Sequence, residues 1–282
     1  MTDDERAHAE SKRQHQEATV NEAHRPDALV LHEVIRREGD EELRRSAGAL
    51  ALSGFAAGLT MGFSLIVPGV LKAHLPEAPW AALVTGFGYT IGFLIVVLGR
   101  QQLFTENTVT PILPLLNDRS LACLWRVLRL WAIILATNVL ATLVIATALG
   151  HSEAFKPEVR AAFAELSRHT MEGPFLTTLI KAVFAGWLIA LMVWILPASG
   201  SAAPFIIILM TWLVSVCGLA HIIAGSVDAF YLVVTGEAGV GDYLARFFAP
   251  TLLGNVLGGV TLVAVLNYGQ VAVEVEEKDA AG

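Results

Sequence analysis

Apolar residues gather into long runs along this chain rather than spreading evenly. Residues 1–45 are strongly polar, whereas long apolar stretches fill the chain from Ala47 to Tyr268. A helix needs about 20 apolar residues to cross a hydrocarbon core of about 30 Å. Six stretches qualify: 47–70, 81–116, 121–149, 175–196, 203–234 and 247–268. The second and fifth are too long for one straight crossing, and both carry polar residues in their middles. The second contains Gly99-Arg100-Gln101-Gln102 and then Thr105-Glu106-Asn107-Thr108; the fifth contains Gly218, His221, Gly225, Ser226 and Asp228. Non-helical backbone at membrane depth is tolerated only where protein buries it or water lines it. The pattern therefore predicts an all-α membrane protein of six transmembrane helices, the second and fifth broken and facing a protein interior.

The flanks set the orientation. Arg36, Arg37, Arg44 and Arg45 precede the first stretch, and Arg119, Arg126 and Arg129 lie between the second and third. Positive charge of this kind stays on the cytoplasmic side, which predicts cytoplasmic termini. Lys156, Arg160 and Arg168 fall in the opposite, longer loop and run against that bias. Residues 28–45 read as a partly amphipathic helix along the inner surface, 46–270 as the pore domain, and 1–27 and 271–282 as disordered tails. There is no apolar core of a signal peptide in residues 1–30.

The chain also reads as two halves of three spans. Ala136-Thr137-Asn138-Val139-Leu140-Ala141 in the third span answers Leu253-Gly254-Asn255-Val256-Leu257-Gly258 in the sixth. The broken helix is the second of each half. Each first span carries a glycine (Gly58, Gly186) and meets proline toward its far end (Pro68, Pro197). Three spans per half require opposite insertion, a 3+3 inverted repeat, and such repeats place the solute site near the midplane, where the halves meet. Gly54, Gly58 and Gly62, like Gly254 and Gly258, follow the small-xxx-small spacing of close helix packing.

Composition narrows the class further. Hydrophobic residues make up 55% and charged residues 16%, and a net charge of −7 without a basic stripe argues against nucleic acid as a partner. Cys123 and Cys217 sit in apolar context without CxxC spacing and read as small buried hydrophobes, not as a disulfide or a metal site. No nucleophile-base or metal constellation stands out, so neither an enzyme nor a cofactor is expected. Gly239-Val240-Gly241-Asp242 spells the GxGD of intramembrane aspartyl proteases, but it lies in a loop and lacks an obvious second membrane aspartate for a carboxylate dyad.

Three segments carry a family resemblance: Leu103-Phe104-Thr105-Glu106-Asn107, Gly218-Leu219-Ala220-His221 with Ala224, and the run from Pro250 to Gly259 containing Gly254-Asn255-Val256-Leu257-Gly258. Over nearly all of residues 30–270 the chain resembles the formate/nitrite transporter family. The stretch from Leu98 to Thr108, and His221 followed by Gly225-Ser226 and Asp228, look more like its YfdC-type branch than like the formate or nitrite channels proper. The resemblance implies an aquaporin-like fold and a homopentamer with one pore per subunit. It matches Thr105 and His221 to the family's pore threonine and histidine, and counts Phe104, beside Thr105 on the broken loop, among the pore residues. It sets Tyr89, Phe93 and Val214 at hydrophobic constrictions.

An intramembrane ionisable group is a functional candidate by default, which puts His221 first. Thr105 offers a hydroxyl to the solute or to His221, or else caps the half-helix that follows it. Arg100 and Glu106 depart from the channels proper, as do Gly186 and Gly225 where the family often has asparagine. Arg100 and Glu106 read as a structural ion pair holding the broken loop, or as an element of altered selectivity or a proton relay, with Asp228 a further acid in reach. Lys181 either snorkels to the outer interface or draws anions toward a vestibule. Asn138, Asn255 and Asn107 read as structural groups, the first two bridging the backbone breaks. Trp80, Trp125 and Tyr243 suit interfacial belts.

The expected function is an inner-membrane channel or transporter for small monovalent anions of weak acids, with proton coupling at His221. The alternatives are a pore for neutral or cationic solutes, motivated by Glu106 and Asp228, and a closed scaffold or sensor.

Overall fold

The computed structural model describes residues 28–265; the two tails expected to be disordered, and 266–270 of the expected pore domain, lie outside them. Among the described residues the regular structure is helical. Helix α1 (Ala28–Arg44) precedes α2 (Ala47–Thr60) and α3 (Phe63–His74), which a turn at Met61 and Gly62 joins into one apolar span, Ala47–His74. Next come α4 (Ala81–Leu98), α5 (Ile112–Asp118) and α6 (Leu121–His151). Then follow α7 (Pro157–Thr170), α8 (Phe175–Ile195), α9 (Ala203–Val216) and α10 (Ile222–Val234). Last, α11 (Val240–Asp242) and α12 (Ala249–Leu257) are linked by a π-helical stretch, Tyr243–Phe248, and continue into another, Gly258–Val265.

Among the described residues, four helices are long and apolar enough to cross a membrane by themselves: Ala47–His74, Ala81–Leu98, Leu121–His151 and Phe175–Ala198. The fifth expected span is divided between α9 and α10, each too short alone. Large apolar side chains such as Leu52, Leu121, Leu176 and Phe205 stand more than 60% exposed, as the wall of a bundle bathed in lipid or packed on other subunits requires.

The two breaks are built alike. At the end of α4 the N–H of Gly99 donates to Ile95, that of Arg100 to Val97 and that of Gln101 to Val96. At the end of α9 the N–H of Cys217 donates to Leu213, that of Gly218 to Ser215 and that of Leu219 to Val214. Both helices stop on a left-handed residue, Arg100 with φ 49° and Gly218 with φ 58°, the conformation that closes many helix C-termini and normally selects glycine.

Asparagine then repairs each break. Asn138 Oδ1 accepts from Phe104 N (2.9 Å), and its Nδ2 donates to Gly54 O (2.7 Å) and Gln102 O (3.0 Å). Asn255 Oδ1 accepts from Ile222 N (2.8 Å), and its Nδ2 donates to Ala182 O (2.8 Å) and Ala220 O (2.9 Å). Gly58 and Gly186 complete the match: a Cβ on either would collide with the backbone of Asn138 or Asn255 respectively. Only glycine lets α2 and α8 approach these asparagines that closely.

Several expectations change. The longer loop after the third span holds a helix, α7, on which Val159, Ala162 and Phe163 are buried. Its short apolar stripe sits in a mostly polar segment, which a search for membrane spans passes over. Lys72 pairs with Glu165 (3.0 Å), Arg168 pairs with Glu237 (2.8 Å), and the Tyr231 hydroxyl donates to Arg160 O (3.2 Å). Of the basic residues counted as loop charges, Arg168 is thus committed to an ion pair, while Arg160 contributes only its backbone carbonyl to the contact with α10. Cys217 is exposed, because it sits at the unwound end of α9, whereas Cys123 is buried. Tyr243 is buried rather than in an interfacial belt, its hydroxyl within 3.1 Å of Ser226 Oγ. Helix α1 docks its Ile35 against Val109, Leu113 and Trp194.

Truncating Asn138 or Asn255 to alanine leaves backbone groups unpaired at the breaks, at about 1–3 kcal/mol for each orphaned group. Thermal unfolding in detergent should show a large and similar loss for the two variants. Gly218→Ala should cost about 1–2 kcal/mol through its left-handed backbone, while Arg100→Gly should be neutral or stabilising in the same assay.

Candidate functional site

The two breaks meet at one hydrogen bond. His221 is the N-cap of α10, and its Nδ1 accepts from the backbone N–H of Ile223 (3.3 Å) and Ala224 (3.2 Å). Its Nε2 lies 2.8 Å from Thr105 Oγ1. Because Nδ1 is an acceptor, the neutral ring carries its proton on Nε2 and donates it to Thr105. The Thr105 hydroxyl proton is then available to another acceptor. Both side chains are 1% exposed. Thr105 does not cap the half-helix after it: its hydroxyl turns to His221, and Thr108 Oγ1 donates to the Thr105 carbonyl instead.

Aromatic rings surround the imidazole. Phe93 meets it edge-on, with centroids 4.9 Å apart and planes at 84°, and Tyr89 leans on Phe93 at 5.3 Å. On one side of this layer opens a cavity of about 690 Å³ whose lining includes Ser64, Thr85, Tyr89, Lys181, His221 and Asp228. Phe93 is wholly buried and not part of that lining, so the cavity stops at Tyr89 and His221. Val214 is likewise wholly buried on α9. Phe104 is buried against Trp131, 6.0 Å between ring centroids, and its side chain is not part of the cavity wall.

The remaining candidates separate. Lys181 belongs to the cavity wall. Asp228 does too, and Thr170 on α7 donates to its Oδ2 at 2.8 Å. Arg100 is exposed, and among the described residues no ion pair joins it to Glu106 or Asp228. This corrects the expected ion pair. Arg100 occupies a left-handed helix end that directs its side chain outward, and Glu106 Oε1 is buried without a hydrogen-bond partner.

The broken loop has holders that sequence reasoning missed. Gln102 N donates to Ser53 Oγ (3.1 Å), and Trp131 Nε1 donates to Asn107 O (2.7 Å). Asn107 itself is structural in its contacts, donating through Nδ2 to Leu103 O (2.8 Å). Glu42 of α1 reaches over to the loop, accepting from Thr110 Oγ1 at 2.5 Å and from Gln102 Nε2 at 3.4 Å. Burial pushes the Glu42 carboxyl above its ordinary value, partly offset by these two hydrogen bonds. Nothing in the local sequence marks Glu42 apart from the other acids of α1.

A helical membrane protein whose two backbone breaks meet in a histidine–threonine pair, behind a cavity lined by both apolar and polar side chains, has the construction of a solute pore. The chain belongs to the formate/nitrite transporter family: the family model described as Formate/nitrite transporter matches residues 30–269. It is 38% identical to "Inner membrane protein YfdC" of Escherichia coli strain K12 over 99% of this chain and 91% of that protein. It is 26% identical to "Formate channel BtFdhC" of Bacillus thuringiensis over 85% of this chain and 93% of that protein. Among solved structures, "Pentameric formate channel with formate bound" superposes with a TM-score of 0.68 at 18% identity, covering 80% of this chain and 98% of that one. At that identity the likeness shows the fold.

The raised carboxyl of Glu42 gives a signed prediction. The folded protein holds that proton more tightly than the unfolded chain, so its contribution is full below the ordinary value of 4.5 and is lost as pH rises from there through the raised folded value. Glu42→Gln should therefore raise the thermal midpoint by about 2–4 °C at about pH 8, with the advantage gone by about pH 4. A midpoint difference independent of pH would contradict this.

Proposed function

We propose that this protein is a channel or transporter for small monovalent anions of weak acids, of the formate and nitrite kind, and not an enzyme. The observation that supports it best is the 2.8 Å bond between Thr105 and His221 at the closed end of the cavity. A bare anion pays heavily to enter an apolar constriction, and a proton gained at the entrance removes most of that cost. The imidazole Nε2–H is committed to Thr105, the Thr105 hydroxyl it frees is a donor suited to a small oxyanion, and Tyr89 and Phe93 form the apolar layer the solute must pass. The solute names carried by BtFdhC and by the pentameric formate channel support the same solute class.

In this reading the protein is a homopentamer in a bacterial inner membrane, with a pore in each subunit. The two three-span halves are inserted in opposite senses, and both termini lie in the cytoplasm. Helix α1 lies along the inner surface, and the cavity is the outer vestibule. A pore for neutral or cationic solutes is the second reading, and the unpaired Glu106 Oε1 is what favours it.

Uptake of formate, nitrite and acetate into proteoliposomes, with urea as the neutral control, tests the assignment. Selective anion uptake is expected, falling at least about tenfold in His221→Ala and less in Thr105→Val, the size of losing one or two donors at a rate-setting step. Uptake unchanged in both variants would remove the site from the mechanism.

A further inference from the structure

The outer cavity carries a carboxyl group that the histidine–threonine site does not use. Asp228 lies on α10, seven residues after His221, and lines the same cavity. Thr170 donates to its Oδ2 (2.8 Å), its other oxygen has no hydrogen bond, and no cation pairs with it among the described residues. Gly225, one turn earlier, makes room for this arrangement. A Cβ there would lie 2.5 Å from the ring of Phe247 and 3.1 Å from Thr170 Cγ2. The missing side chain thus lets α7 bring Thr170 close to α10.

The other charged groups of the cavity are largely committed elsewhere. Lys72 on α3 is paired with Glu165 on α7 at 3.0 Å, and His169 faces Glu172 at 3.3 Å. Glu77, Lys181 on α8, Tyr89 on α4 and His221 complete the titratable lining. Outside the Lys72–Glu165 pair, one lysine therefore faces three acids, Glu77, Glu172 and Asp228, with Glu172 offset only when His169 is protonated. A carboxylate oxygen accepts hydrogen bonds and donates none. It repels a bare anion and holds a solute that brings its own O–H.

We propose that Asp228, oriented by Thr170, is a specificity-determining residue that selects the protonated, uncharged weak acid over its anion on the way to His221. This rests on the weak-acid reading above and adds which protonation state the vestibule passes.

The test is initial formate uptake into proteoliposomes at about pH 5 and about pH 7.5, a range over which the already small protonated fraction of a simple carboxylic acid falls further by more than two orders of magnitude. Wild type, Asp228→Asn, Asp228→Glu and Thr170→Val are compared, each first confirmed as assembled by size-exclusion chromatography. The expected result is uptake at the higher pH raised about three- to tenfold in Asp228→Asn, as for removal of one partly screened charge. The pH dependence should flatten, a smaller change in the same direction should appear in Thr170→Val, and Asp228→Glu should restore the wild-type profile. An unchanged pH profile in Asp228→Asn, with wild type conducting, overturns this inference alone. So does loss of uptake at both pH values in an assembled Asp228→Asn. Uptake of methylammonium by wild type, abolished in Asp228→Asn, overturns it in favour of a cation filter. Absence of weak-acid uptake in wild type overturns the functional reading and this inference with it.

Discussion

A helix that stops inside a hydrocarbon slab leaves backbone N–H and C=O groups with no water to receive them, and every other feature of this protein follows from how that debt is met. Each break is met by one asparagine, whose amide is the side chain that can both accept from and donate to a peptide. Asn138 and Asn255 span from the first helix of their half to the residues on either side of the unwound segment. That demand fixes the packing as well. The asparagine can reach across only if the facing helices nearly touch, which is why glycine stands at 58 and 186. Satisfied in this way, the breaks are rigid enough to hold Thr105 and His221 at hydrogen-bond distance.

The same constraint explains what the sequence exposes and what it hides. Polar residues in the middle of an over-long apolar run are costly, so their presence at 99–108 and 218–228 has to mean broken backbone, and the matching Asn-Val-Leu signals have to mean a shared repair. The broken spans were legible for that reason, and the pairing of Thr105 with His221 only through the family resemblance. Helix α7 was not, because a short amphipathic helix on the mouth of a bundle obeys the periodicity of a soluble surface. The role of Arg100 was misread for a different reason. Charge suggested a partner, but a left-handed helix end is set by φ, and the equivalent place in the other half is Gly218. Local propensity would have chosen glycine there, and the repeat makes the exception visible only once the two breaks are superposed by their hydrogen bonds.

Glu42 and Trp131 were illegible in a stricter sense. Both act on the broken loop from other helices, and neither sits in a pattern that distinguishes it from its neighbours. Trp131 holds the loop by a single indole N–H, and Glu42 ties a polar surface helix to Thr110 and Gln102. Long-range ties of this kind are created by the fold, so only the fold reveals them. They bear on function because the loop they hold is the one that carries Thr105.

The choice of histidine at the junction has its own logic. A lysine or arginine there would hold a small anion by full charge in a low dielectric, and a pore must bind its solute weakly enough to release it. An imidazole avoids that trap, provided its orientation is fixed. Here the N-terminus of α10 does the fixing, because two backbone N–H groups occupy Nδ1 and leave Nε2 as the single face turned to Thr105. The orientation of the imidazole is therefore set by a helix end, and the helix end exists only because the span is broken. The geometry of this site has one cause, the interruption between α9 and α10 before His221, and the asparagine that stabilises the interruption is as much a part of the site as the histidine it positions.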